Sequence, residues 1–180
     1  MVYAFLADGF EETEAIAVID TIKRGGISVC TVSITEDKMV KGSHDIRIEA
    51  DEVISGIDFD KADMLFLPGG MPGTLNLLNC ELLTEQIKKF NTEGKKLAAI
   101  CAAPSVFGQL GILKGKKAIC YPGFEEKLTG AQITNEKVVK DGNVFTSKGM
   151  GTAIDLGLEI VAEYMGRGKA DEVAKSIQYK

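Results

Sequence analysis

Tryptophan is absent from the chain, and histidine occurs once, as His44. With one histidine a zinc site would need unusual ligands, and a cysteine–histidine hydrolase would have a single candidate base. The four cysteines, at 30, 80, 101 and 120, contain no Cys-x-x-Cys pair. They read as free thiols in a reducing compartment, not as a disulfide framework. No run of eighteen apolar residues occurs, so no membrane-spanning helix is expected. No block of lysine or arginine stands out, and the formal net charge is -5, which argues against nucleic acid as a main partner. The phosphate loop Gly-x-x-x-x-Gly-Lys is missing. The run Met1-Val-Tyr-Ala-Phe-Leu-Ala-Asp8 lacks the positive n-region of a signal peptide and reads as a strand, so a cytoplasmic location is the default expectation.

What is present is a chain able to build one full core. Hydrophobic residues make up 45% of 180 positions, which suits a single domain over residues 1–180. Val2 to Leu6 read as a strand, Phe10 to Arg24 as a helix, and Ile27 to Ile34 as a second strand. Ala15, Ile16, Ile19 and Ile22 are expected on the helix's inner face. This opening β-α-β unit implies parallel pairing. Ile46 and Ile48 suggest a short strand. Met64 to Leu67 form a buried strand ending in Pro68-Gly69-Gly70, and a helix is expected over Leu82 to Thr92. Leu97 to Ile100 form another strand, and Lys117 to Cys120 a short one. Lys137 to Ser147 read as a hairpin turning at Asp141-Gly142. A last long helix follows Thr152, with Ile154, Leu158, Val161 and Met165 near one face. Alternating strands and helices predict an α/β three-layer sandwich with a mostly parallel central sheet. Ligands in such folds bind at the carboxyl ends of the strands.

Three strand-end segments carry chemistry. In Lys95-Lys-Leu-Ala-Ala-Ile-Cys-Ala-Ala-Pro-Ser105, Cys101 falls between a strand and a helix that Pro104 can open. Small flanking residues suit a nucleophile elbow, in which a sharp turn lifts one side chain above the sheet. Amides opening the next helix are expected to favour the thiolate. Against this stands the frequency with which cysteine is simply buried. In Asp8-Gly-Phe-Glu-Glu-Thr-Glu14, Glu11 and Glu12 suit a helix N-terminus. Glu14 borders the apolar stripe, and partial burial there would raise its pKa and let it act as a proton donor. In Leu67-Pro-Gly-Gly-Met-Pro-Gly73, the amide of Gly70 or Met71, with that of Ala102, is expected to form an oxyanion hole, and Gly69 allows close backbone approach. His44 lies in the polar stretch Lys41-Gly-Ser-His-Asp45 and reads chiefly as a solvated surface residue.

Taken together, Gly9-Phe-Glu-Glu-Thr-Glu14, Leu67-Pro-Gly-Gly70, Ala98-Ala-Ile-Cys-Ala-Ala-Pro104, Lys140-Asp-Gly142 and Thr146-Ser-Lys-Gly-Met-Gly-Thr152 resemble the ThiJ/PfpI superfamily, in the branch of the parkinsonism-linked deglycase and its bacterial relatives. The resemblance runs nearly end to end. It implies a flavodoxin-like sandwich, a homodimer, and a cysteine prone to oxidation to sulfinic acid. It also implies Cys101 as nucleophile, Glu14 as its acid, and oxyanion amides near Gly70 and Ala102. Many members carry a histidine before a proline after the strand that follows the nucleophile helix; here that place holds Tyr121, in Ile119-Cys-Tyr-Pro122. Peptidase or glutaminase chemistry is therefore not expected. Tyr121, Gly69, Met71 and His44 remain candidates for the pocket, His44 where relatives often have arginine. The expected activity is a glyoxalase or deglycase acting on small reactive carbonyl compounds, with no cofactor and no metal. The alternatives are an oxidative-stress sensor or redox-linked chaperone using Cys101, and a dimeric binding module without catalysis.

Overall fold

The computed structural model describes residues 1–179. Its strands are β1 (Val2–Leu6), β2 (Val29–Ser33), β3 (Met39–Lys41), β4 (Arg47–Glu49), β5 (Glu52–Val53), β6 (Met64–Leu67), β7 (Lys96–Ile100), β8 (Lys117–Ala118), β9 (Gln132–Ile133), β10 (Val138–Asp141) and β11 (Val144–Ser147). Its helices are α1 (Glu12–Arg24), α2 (Gly73–Asn79), α3 (Glu81–Thr92), α4 (Pro104–Gln109), α5 (Ala153–Met165) and α6 (Arg167–Ser176). Among the described residues, seven strands form the central sheet in the order β10-β11-β7-β6-β1-β2-β5. Every neighbouring pair is parallel except β10–β11. The inner strands follow the flavodoxin-like pattern, whose switch point here lies between β1 and β6.

The inner strands are buried on both faces, which is why they read as unbroken apolar runs. Along β1, Tyr3 and Phe5 point to one side and Val2, Ala4 and Leu6 to the other. The first side packs against Leu83, Ile87 and Phe90 of α3 and Val106 and Phe107 of α4. The second packs against Ala15, Val18, Ile19 and Ile22 of α1 and Leu156, Ile160 and Val161 of α5. Helices α1 and α5 approach closely at Gly157, where an added Cβ would lie 2.6 Å from Thr21 Cβ.

Two expectations need correction. Ile16 is 46% exposed; the stripe runs Ala15, Val18, Ile19, Ile22, and Ile16 sits about 100° round the helix from Ala15. The last helix is two: α5 ends at Gly166, whose φ of +85° breaks the helix, and Met165 is exposed. The short strands expected around Ile48 and Lys117 form, in the β3–β4 and β8–β9 pairs beside the central sheet. The hairpin forms at its expected place, with Asp141 opposite Val144. Among the described residues no helix is long and apolar enough to cross a membrane.

Candidate active site

Helix α1 places Glu14. Glu11 caps the helix, its carboxylate accepting from the Glu14 amide at 2.6 Å. Lys23 and Arg24 occupy the last turn, where positive charge suits the dipole. This fixes the first turn at the carboxyl end of β1 and turns the Glu14 side chain inward, 1% exposed. Its Oε2 accepts from the Gly69 amide at 3.1 Å. Hydrogen bonds also join its carboxyl to the Cys101 side chain and the Met150 amide. Burial outweighs these bonds and, with the Glu11 charge, raises the carboxyl to about 7.

Cys101 sits on the turn between β7 and α4 with φ +64°, a conformation that costs a non-glycine residue about 1–3 kcal/mol. Three backbone bonds hold it. The Cys101 amide donates to the Ser147 carbonyl at 3.0 Å, its carbonyl accepts from the Tyr121 amide at 2.8 Å, and the Ala103 amide donates to Ile100 at 3.0 Å. Ala99, Ala102 and Ala103 are buried around it, and larger side chains would crowd the bend. Pro104 opens α4. This is the elbow geometry the sequence suggested.

Gly69 forms the wall between the two groups. A Cβ there would lie 2.5 Å from Cys101 Cβ and 2.6 Å from Glu14 Oε2. The amides of Gly70 and Ala102 hydrogen-bond the Cys101 side chain; of the two donors considered on the glycine loop, Gly70 and Met71, the one bonded to the sulfur is Gly70.

The thiol does not titrate as the sequence suggested. Burial first, then the facing Glu14 carboxylate, push it up to about 12, while the Ala102 and Gly70 amides pull it down. Helix α4 has only six residues, so its dipole is small beside the loss of solvation. Glu14 and Cys101 therefore act as one coupled pair. With Glu14 at about 7 and the thiol at about 12, the last proton of the pair rests on sulfur, and Glu14 is about half ionised at neutral pH. Transfer of that proton to Glu14 would leave the carboxyl donating to a thiolate that also receives two backbone amides.

His44 is not brought to this pair. It is exposed, and its Nδ1 lies 3.0 Å from Glu12 Oε2 and 3.9 Å from Glu11 Oε1. Its bond to Glu12, followed by the charges around it, raises its pKa. Glu12, 5% exposed, accepts from the amides of His44 at 2.7 Å and Ile46 at 3.4 Å and from Ser43 Oγ at 3.2 Å. Burial pushes the Glu12 carboxyl up, but these bonds prevail and hold it at about 2. The donor atoms of Glu11, Glu12 and His44 lie within 4.8 Å of one another. Because Glu12 is already saturated with donors, the trio serves as a clasp between α1 and the loop before β4.

Tyr121 is half exposed and, with Pro122, Lys148, Gly149, Met150 and Thr152, lines a depression of about 360 Å³. The segment from Ser147 to Thr152 also belongs to the site, since it brings the Met150 amide to the Glu14 carboxyl. Its signal was a glycine-flanked run directly after a strand.

A parallel sheet of this order, with a cysteine on a strained strand-to-helix turn and a buried carboxyl bonded to it at the strands' carboxyl ends, defines a flavodoxin-like protein with a nucleophile elbow. The DJ-1/PfpI family model matches residues 1–163, and the chain belongs to that family. It is 41% identical over 171 residues to Protein DJ-1 homolog B of Arabidopsis thaliana, covering 94% of this chain and 39% of the plant protein. The chain thus spans about two fifths of that relative. It is 36% identical over 174 residues to Protein dj-1beta of Drosophila melanogaster, covering 96% of this chain and 93% of the fly protein. A Caenorhabditis elegans protein named glutathione-independent glyoxalase DJR-1.2 is 31% identical over 169 residues, covering 93% of this chain and 89% of its own. Among solved structures, oxidized Toxoplasma gondii DJ-1 superposes with a TM-score of 0.94 at 31% identity, covering 98% of this chain and 97% of that one.

Proposed function

We propose that this protein is a cofactor-independent glyoxalase or deglycase acting on small 2-oxoaldehydes or the early adducts they form. The observation that carries the reading is the hydrogen bond between the buried Glu14 carboxyl and Cys101 beside two inward amides. The name of the Caenorhabditis elegans relative supports it.

The Glu14 carboxylate takes the Cys101 proton as the sulfur attacks the aldehyde carbon of a substrate such as methylglyoxal. The new C–S bond forms as the carbonyl π-bond opens, and the oxygen takes the proton from Glu14, giving a hemithioacetal. The amides of Gly70 and Ala102 stabilise the oxygen as charge develops on it. The Glu14 carboxylate then removes the C1 proton and returns it to C2 of the resulting enediol, while the C1 hydroxyl proton passes to the C2 oxygen. C1 is oxidised to a thioester while the C2 ketone is reduced to an alcohol, so no outside oxidant is needed. Water hydrolyses the thioester, freeing the hydroxy acid and the thiol. Formation of lactate from methylglyoxal without glutathione tests this. Lactate formed by Cys101→Ala at the wild-type rate would overturn it.

A second reading is a redox sensor or redox-linked chaperone. The donors that hold a thiolate suit a sulfinate equally, and Cys101 is the partly exposed thiol of the pair Cys101 and Cys120. Mild peroxide would then add two oxygens at Cys101 alone. Oxidation spread over Cys30, Cys80 and Cys120 would refute a tuned site.

The family resemblance also supports a homodimer. Ile16, Ile46, Ile48, Ile154 and Ile177 line an apolar depression of about 540 Å³ across α1, β4 and α5, a face suited to a second copy. Sedimentation should give a dimer for the wild type and a monomer for Ile16→Glu.

A further inference from the structure

We propose that Tyr121 and Met150 form an apolar subsite that steers the enzyme toward 2-oxoaldehydes bearing an aromatic or bulky apolar substituent. This rests on the glyoxalase-type reading and names the substrates within it. Both walls of the depression are tied to the reacting pair. The Tyr121 amide donates to the Cys101 carbonyl at 2.8 Å, and the Met150 amide bonds the Glu14 carboxyl. Between them the backbone of Gly149 runs close to both; a Cβ there would lie 3.3 Å from Tyr121 Cδ2 and 3.8 Å from Glu14 Oε1. The ring therefore stands one residue away from the acid.

The chemistry of the walls selects the ligand. Tyr121 is 50% exposed and Met150 57% exposed, so a flat aromatic face and a polarizable thioether are both available for contact. The depression holds about 360 Å³, of which a methyl group would fill a small part and a phenyl ring far more. Lys148 lines the same depression, but its Nζ donates to Asn135 Oδ1 at 2.7 Å. One of its N–H donors is thus directed to a residue outside the lining, and the remaining lining residues, Tyr121, Pro122, Gly149, Met150, Gly151 and Thr152, are uncharged.

Two alkylating ketones test this without turnover: phenacyl bromide and bromoacetone, the second carrying a methyl in place of the phenyl. Each alkylation rate at Cys101, followed by peptide mass, is divided by the rate with free N-acetylcysteine. The normalised phenacyl-to-acetonyl ratio should be about tenfold in the wild type, be kept by Tyr121→Phe, and fall to near one in Tyr121→Ala and Met150→Ala. A wild-type ratio near one, or an unchanged ratio in both alanine variants, overturns the subsite. Turnover of phenylglyoxal and methylglyoxal is measured alongside. If neither is converted, the reaction assignment falls while the alkylation ratio still decides the subsite.

Discussion

Glu14 and Cys101 meet across a residue without a side chain: the Gly69 amide holds Glu14 Oε2 at 3.1 Å while its Cα leaves no room for a Cβ beside Cys101. The distance between acid and sulfur is set by a backbone, which cannot swing aside as a side chain could.

Replacing Glu14 with glutamine should move two readouts in opposite directions. The carboxylate charge that raises the Cys101 thiol disappears, so iodoacetamide should alkylate Cys101 faster at neutral pH. Proton transfer is lost at the same time, and turnover of methylglyoxal should fall by about 10²-fold or more. Slower alkylation in the variant would show that Glu14 does not oppose the thiolate.

Gly69→Ala should cost both stability and activity. The new methyl would sit 2.5 Å from Cys101 Cβ and 2.6 Å from Glu14 Oε2, and overpacking of this kind costs about 1–3 kcal/mol. Urea denaturation should show the loss, and turnover should drop further than a destabilisation of that size explains.

Stability should fall as pH rises through neutrality. The Glu14 pKa is 4.5 for the free group and about 7 in the folded chain, so between those values the folded state binds the extra proton. The stabilisation is complete below pH 4.5 and is lost as pH passes 7, amounting to about 3 kcal/mol. Glu12 acts oppositely in a separate window, with 4.5 lowered to about 2, so its contribution is present above pH 4.5 and lost toward pH 2. Denaturation across pH should show a fall near neutrality in the wild type that Glu14→Gln lacks and Glu12→Gln keeps.

Backbone strain at the elbow predicts an order among inactive variants. With φ at +64°, Cys101→Gly should be about 1–2 kcal/mol more stable than Cys101→Ala. Thermal unfolding should place its Tm several degrees higher, by about 2–4 °C per kcal/mol. Equal midpoints would mean the turn stores no strain.

Strands β1, β6 and β7 were legible because each is an unbroken apolar run closed by Gly, Pro or a small residue, and two-sided burial demands that pattern. Glu14 was legible because it borders the inner stripe of α1 while standing at the helix start. The thiol's direction of titration was not legible. It depends on burial in the folded chain and on the facing Glu14 carboxylate, which no local window contains. The Met150 amide was missed for a related reason: a backbone donor leaves no mark in residue identity. Ile16 was misassigned because one position along a helix turns a side chain by about 100°, and an apolar residue beside a stripe looks like part of it.

Tyr121 and Ser147 clamp the main chain of Cys101 from either side, and both are made long after the cysteine itself. A nascent chain that ends before them carries the sulfur without the bend that lifts it. The bend is thus completed by contacts distant in sequence, and a peptide spanning the Cys101 segment alone lacks them.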